Sequence, residues 1–327
     1  MKVYIIAFLM LLISVIFGIF AGSVKISLGD IAAALFNGTT ALGTNGVIIR
    51  FVRIPRVLAA LICGAALSVS GAVIQGVLAN KLASPSIIGV NAGAGLAVTL
   101  CAALGLAGGF RFSLFAFTGA FITVLIVSML AKRFEASRSS VILIGVAMNS
   151  LLGAFTDSVR TFVPEVSIMS NDFRIGDFSS VTYVKLIPSA VIIILSLLIL
   201  MTLSNDLDVL CLGDDTAKGL GLNVGAIKVL FLILAAALSG AAVSIAGLLS
   251  FVGLLVPHAV RRFSPGESRH LLPLSALFGG SFVTLCDTLA RTAFSPYELP
   301  VGIIMAFLGA PFFVFILIKK KGGHNNA

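Results

Sequence analysis

Residues 53–78 read RIPRVLAALICGAALSVSGAVIQGVL. From Val57 to Leu78 no residue carries a formal charge. A helix crosses the hydrocarbon core of a bilayer with about 20 apolar residues, so this run is long enough to span it. Gly64, Ala65, Ala66, Ser68, Ser70 and Gly71 are small, and small residues at helical spacing let backbones approach closely, the packing mode that holds helices together in lipid. Pro55 suits a first helical turn, where its missing N–H costs nothing. Arg53 and Arg56 are three apart and project from neighbouring positions of that turn. They either anchor the helix end at the interface by snorkelling or meet a partner, and the segment alone leaves both readings open.

Composition extends the membrane reading to the whole chain. Of 327 residues, 59% are hydrophobic and 11% charged, and the mean hydropathy is +1.15. Soluble domains carry about 25% charged residues, so this chain uses lipid as its solvent. Ten apolar stretches follow one another: about 3–21, 57–78, 87–106, 112–131, 141–156, 186–203, 229–248, 250–260, 271–289 and 301–318. The eighth is too short to cross as a simple helix. The first outlasts the 7–15 residues of a signal's apolar core and has only a weak cleavage site after it, so it counts as the first span.

An even number of spans puts both termini on one side. If that side is the cytoplasm, thirteen Lys and Arg lie inside (positions 2, 81, 132, 133, 138, 218, 228, 261, 262, 269 and 319–321) and nine outside. This agrees with the positive-inside rule and explains most of the net charge of +9 without nucleic acid. Arg50, Arg53 and Arg56 oppose the bias and need another reason to be where they are. Cys63, Cys101, Cys211 and Cys286 have neither disulfide nor metal-ligand spacing. His258 stands alone in an apolar span and reads as a packed residue, so no metal site is expected.

The expected fold is therefore all-α and polytopic, with about ten transmembrane helices in one transmembrane domain over 1–327. Two polar segments stand out, an outer one at about 156–185 and an inner one at about 205–228, where Asp214 and Asp215 open a short helix that Gly219 and Gly221 close.

The run from Arg53 to Gln75 resembles the second span of the FecCD family of type II ABC importer permeases. The likeness continues through Asn80-Lys81-Leu82-Ala83-Ser84-Pro85, where Lys81 replaces the family's proline, and through Gly89-Val90-Asn91-Ala92-Gly93-Ala94. Leu212-Gly213-Asp214-Asp215-Thr216-Ala217-Lys218-Gly219-Leu220-Gly221 is similar to the family's ATPase-coupling helices, and Phe251 to His258, Glu298 to Gly302 and Leu308 to Pro311 follow in family order.

The resemblance implies the type II permease fold and cytoplasmic termini in a bacterial inner membrane. It also implies a pore shared with a second permease copy or a homologous permease, two ATP-binding subunits and an extracytoplasmic substrate-binding protein. Arg53, Arg56 and Arg291 match positions that dock the binding protein. Leu212, Gly213, Asp214, Ala217, Leu220 and Gly221 are expected to couple to the ATPase. The translocation path and gate are expected at Asn149, Gly153, Thr156 and Ser158, with Gln75 and Asn80.

The cargo implied is an iron-siderophore or a similar metal chelate such as haem or cobalamin. No Gly-x-x-x-x-Gly-Lys-Ser/Thr loop occurs, so the chain is expected to bind no cofactor and to be no enzyme, with ATP and magnesium handled by the partner subunit. An ion-coupled secondary transporter is the alternative. It would place acidic residues in mid-membrane, whereas only Asp157 and Asp287 approach a span, both near its end.

Overall fold

The computed structural model describes residues 2–322 apart from positions 25, 28, 32, 33, 35–42, 107, 135 and 265. Among the described residues all regular structure is helical. Helix α1 is Lys2–Phe20, α2 is Thr44–Ile48, and α3 is Ile54–Val77, with a π-helical turn at Ile49–Arg53 joining the last two into one rod. Then come α4 Val90–Ala103, α5 Gly109–Arg133, α6 Arg138–Phe162 and the short α7 Glu165–Met169 and α8 Asn171–Ile175. Helix α9 is Tyr183–Thr202, and α10 Ser204–Cys211 and α11 Asp214–Gly219 are again short. The chain continues through α12 Val224–Ala246, α13 Val252–Val260, α14 Ser268–Thr292 and α15 Val301–Gly322.

Among the described residues seven helices are long and apolar enough to cross a membrane, α4 and α15 are shorter apolar helices, and the nine-residue α13 falls at the short eighth stretch, so each expected span has a helix within it. Crossings alternate, leaving the two terminal helices with their free ends at one end of the bundle, the proximal end. There Tyr4 Oη meets His270 Nδ1 at 3.0 Å. The first helix meets α14 again at the opposite, distal end, where Arg291 donates to Gly18 O at 2.8 Å.

Helices α3 and α12 form the centre. Burial covers 83% of the span window in the α2–α3 rod and 78% in α12, against 17% in α1 and in α6. Small residues decide the packing, as their spacing predicts. A Cβ on Gly64 would strike the Gly279 carbonyl, one on Gly71 the Gly253 carbonyl, and one on Gly93 the Gly119 carbonyl. At these crossings α3 lies against α14 and α13, and α4 against α5, with backbones closer than any side chain allows. Ser70 Oγ also donates to Ala235 O at 2.7 Å, joining α3 to α12.

The eighth crossing is interrupted. After Gly247 the chain runs without helix to Phe251, and α13 covers only the remaining depth. Non-helical backbone survives at membrane depth only where protein satisfies it. Here Leu248 N donates to Phe173 O at 2.8 Å, and Asp177 N donates to Ala246 O at 2.8 Å. The short α7 and α8 are thus folded onto the distal part of the bundle and bonded to its broken helix.

Candidate functional site

The distal end of the bundle holds a buried ion cluster. Arg56 reaches from the first turn of α3 to Asp287 on α14, with Nε at 3.0 and 3.2 Å from the two carboxylate oxygens. Its Nη1 donates to Glu298 at 2.6 Å, and Asp177 lies 3.9 Å from Nη2. Arg291, one turn after Asp287, approaches the same carboxylate at 3.2 Å and donates to Gly18 O at 2.8 Å. Arg53 donates to Ile19 O and Phe20 O at 2.9 and 3.0 Å, and also to Val24 O.

Two forces build this arrangement. The last carbonyls of α1 have no helical partners and carry the negative end of the helix dipole, so Arg53 and Arg291 cap them. The remaining charge is balanced by Asp287, Glu298 and Asp177, three carboxylates for three guanidinium groups. Gly22 lies close beneath Arg53, where a Cβ would come within 2.9 Å of Nη2. Burial alone would push the Glu298 carboxyl up, but hydrogen bonds from Ser23 and Arg56 more than offset it and hold it below the ordinary carboxylate range.

The three arginines expected to dock a binding protein are thus buried in the single chain. Arg53, Arg56 and Arg291 are 3%, 4% and 2% exposed, and Asp287 is 0% exposed. Their charges are consumed inside the chain, where a salt-bridged core tolerates them. Asp287 is the residue that sequence reading passed over. Its signal was local: Asp and Arg at i and i+4 on a predicted helix. What the distal surface offers instead is the loop pinned by Glu298, which carries Phe294 and Tyr297 at 60% and 79% exposure.

The proximal end holds the segment of α10 and α11. It is anchored at several points. Asp208 accepts from Ser268 N at 2.9 Å and Ser268 Oγ at 2.6 Å, capping the start of α14. Asp214 takes Arg138 of α6 at 2.8 Å and Lys228 of α12. Burial works against the Asp214 carboxylate, but its bonds to Lys228 and Arg138 win and hold it below its ordinary value. Gly76 admits Leu207 against α3, where a Cβ would meet its Cδ1 at 2.9 Å.

Between these anchors the expected coupling residues divide. Ala217 is fully buried, Gly213 and Gly221 hold left-handed turns at φ 115° and 85°, and Leu212 and Leu220 are left 63% and 64% exposed. Two bare leucines on a polar segment are an unsatisfied apolar surface.

The residues expected on the path also separate. Gln75 is buried in α3, its Nε2 donating to Gly253 O at 3.2 Å, so it braces α13. Asn80 Oδ1 accepts from Leu82 N and shapes the turn after α3. Asn149 donates to Ser86 O and Ile87 O at 2.9 and 3.2 Å, tying α6 to the chain before α4. Gly153 faces open space. Thr156 is buried, whereas Ser158 is exposed.

Ser150, Ala154, Asp157, Ser158 and Thr161 form an exposed, largely polar stripe on the distal half of α6. Lipid contact is costly for such a stripe, which suits a helix facing water or another subunit. Ser150, Ser158 and Thr161 reduce that cost by donating to the carbonyl four residues earlier.

Relatives share this chain throughout its length. An ABC transporter permease of Bacillus subtilis, YvrB, is 36% identical, covering 98% of this chain and 94% of its own. The ferric enterobactin transport system permease FepG of Escherichia coli is 34% identical, covering 94% and 92%. Among solved structures, a chain described as a metal-chelate type ABC transporter in an inward-facing conformation superposes with a TM-score of 0.85 at 28% identity, covering 97% of this chain and 99% of that one. The FecCD transport family model matches residues 10–319. A ten-crossing bundle with one broken helix, matched in sequence and in fold along nearly its whole length, makes this chain a member of the FecCD transport family.

Proposed function

We propose that the chain is the membrane-spanning subunit of an importer for an iron-siderophore or similar metal chelate, with haem and cobalamin in the same size class, and that a separate ATPase drives it. The observation that carries this reading is the proximal segment, in which Leu212 and Leu220 are bare while Asp208 and Asp214 bind the segment to α6, α12 and α14. An apolar knob on a rigid mount can receive a push from a partner and pass it to the bundle. The likeness to permeases named for ferric enterobactin and for metal chelates supports the cargo class.

In this reading the proximal end and both termini are cytoplasmic, and the ATPase subunits seat on Leu212 and Leu220. A second permease copy, or a homologous permease, faces the polar stripe of α6 across the path, with Ser158 at the gate and Asn149 and Gly153 further along. The binding protein lands on the distal surface. Arg53, Arg56 and Arg291 act there from below, holding the end of α1 and the loop of Phe294 and Tyr297 in place, and those two aromatics supply the contact area.

The test is association of the binding protein with the full chain in nanodiscs. Phe294→Ala with Tyr297→Ala should weaken it at least tenfold while the chain stays folded. Unchanged affinity in that variant would remove the aromatic loop from the docking surface.

A further inference from the structure

Beside α11, at the proximal end, lies a cavity of about 460 Å³ between the ends of α3 and α5 and the starts of α6 and α12. Among the described residues four cations line it, Lys132, Arg138, Lys218 and Lys228, with Asp214 as the one lining carboxylate. Asp214 already engages Arg138 and Lys228. Among the described residues Lys132 and Lys218 have no ion pair, so these two cations are not used by any described carboxylate. One turn deeper, the Ser128 hydroxyl also lines it, 1% exposed and with no hydrogen-bond partner. A buried hydroxyl without a partner costs free energy unless something in the cavity supplies one.

We propose that this cavity binds the phosphate headgroup of an anionic membrane lipid, with Lys132 and Lys218 pairing the phosphate and Ser128 donating to an ester or phosphate oxygen. The general bias of basic residues toward one side of the membrane explains why lysines occur at this end. It does not explain why they converge on a walled cavity that also holds a buried hydroxyl. A volume within the 300–1,000 Å³ range of ordinary ligand sites leaves room for a headgroup.

The cavity's other wall favours lipid over a soluble anion. Leu78, Val141 and Leu232 continue the lining, an apolar surface that an acyl chain covers and a free phosphate leaves bare. Basic pockets between transmembrane helices are suited to anionic headgroups on these grounds. Because Lys218 lies on α11, a bound headgroup would also touch that helix. The inference requires only that the chain lies in a bilayer, and stands apart from the cargo and the ATPase.

The experiment is native mass spectrometry of the delipidated full chain in detergent, titrated with phosphatidylglycerol or phosphatidylcholine. Wild type is compared with Lys132→Gln, Lys218→Gln, the double variant and Ser128→Ala. Phosphatidylglycerol should bind in preference to phosphatidylcholine. Each lysine near an anionic headgroup contributes roughly fivefold in affinity, so the double variant should lose about thirtyfold. Thermal unfolding without added lipid should be unchanged in the double variant, since neither lysine is used in an ion pair.

Equal binding of the two lipids, or unchanged phosphatidylglycerol affinity in the double variant, would overturn the proposal. So would displacement of the lipid by inorganic phosphate at equal concentration, which would assign the cations to a soluble anion. Loss of ATPase association with lipid affinity intact would assign them to a protein partner and overturn it equally.

Discussion

Asp287→Asn tests the distal cluster most sharply. The substitution keeps the side chain's shape and removes one charge from a site that is 0% exposed. Arg56 would keep Glu298 at 2.6 Å, but Arg291 would keep only neutral acceptors, Gly18 O at 2.8 Å and Thr288 Oγ1 at 3.3 Å. One buried guanidinium is therefore left without a carboxylate. Removing one partner of a buried pair costs about 3–5 kcal/mol, because the remaining charge stays desolvated and uncompensated. Removing both partners is often near neutral.

Asp287→Asn should thus lower the stability of the bilayer-reconstituted chain by about 3–5 kcal/mol. Adding Arg291→Gln should recover more than half of the loss, a non-additivity that marks direct coupling. The assay is reversible unfolding against mole fraction of denaturing detergent, followed by tryptophan-free methods such as circular dichroism, since the chain contains no Trp. A loss under about 0.5 kcal/mol for Asp287→Asn, within the range of ordinary surface substitutions, would refute the reasoning, as would strict additivity of the two substitutions.

Three further outcomes are expected. Leu212→Asp with Leu220→Asp should leave membrane insertion and stability intact and abolish ATPase association, read by co-purification; retained association would remove these leucines from the coupling surface. Ser158→Cys should crosslink between two permease copies in one nucleotide state more than another, whereas Thr156→Cys, buried inside its own chain, should crosslink poorly; equal yields would place the subunit contact elsewhere. The carboxyls of Asp214 and Glu298 are held below their ordinary values, so their contributions to stability are fully present above about pH 5.5 and are lost progressively as the pH falls through the ordinary values toward the lower folded-state ones. Asp214→Asn should therefore flatten the acid limb of a stability profile without changing it near neutrality in shape; an unaltered acid limb would count against the ion pairs.

The spans were legible because hydropathy and length act locally, and the glycine contacts because small residues in lipid have one main use. Gly64, Gly71 and Gly93 each meet a facing backbone as the spacing suggested. The broken crossing was half legible: its shortness was visible, but not that Phe173 would come from a short distal helix to satisfy Leu248. The burial of the arginines was not legible for a physical reason. Position in sequence marks a helix end, but it cannot reveal that the end of α1 lies within reach and offers bare carbonyls. The bond from Gln75 to Gly253 O was hidden likewise, since a polar residue in a span serves a neighbour's backbone as readily as a path. Asp208 and Arg138 drew no attention as coupling anchors because their partners, Ser268 and Asp214, lie 60 and 76 residues away.

The most direct measurement is uptake of a radiolabelled ferric siderophore into proteoliposomes containing this chain, its ATPase subunit and its binding protein. Uptake should require hydrolysable ATP, stop with a non-hydrolysable analogue, and fall to background in the Leu212→Asp, Leu220→Asp variant. Uptake that proceeds without the ATPase subunit and follows an imposed ion gradient would contradict an ATP-driven importer.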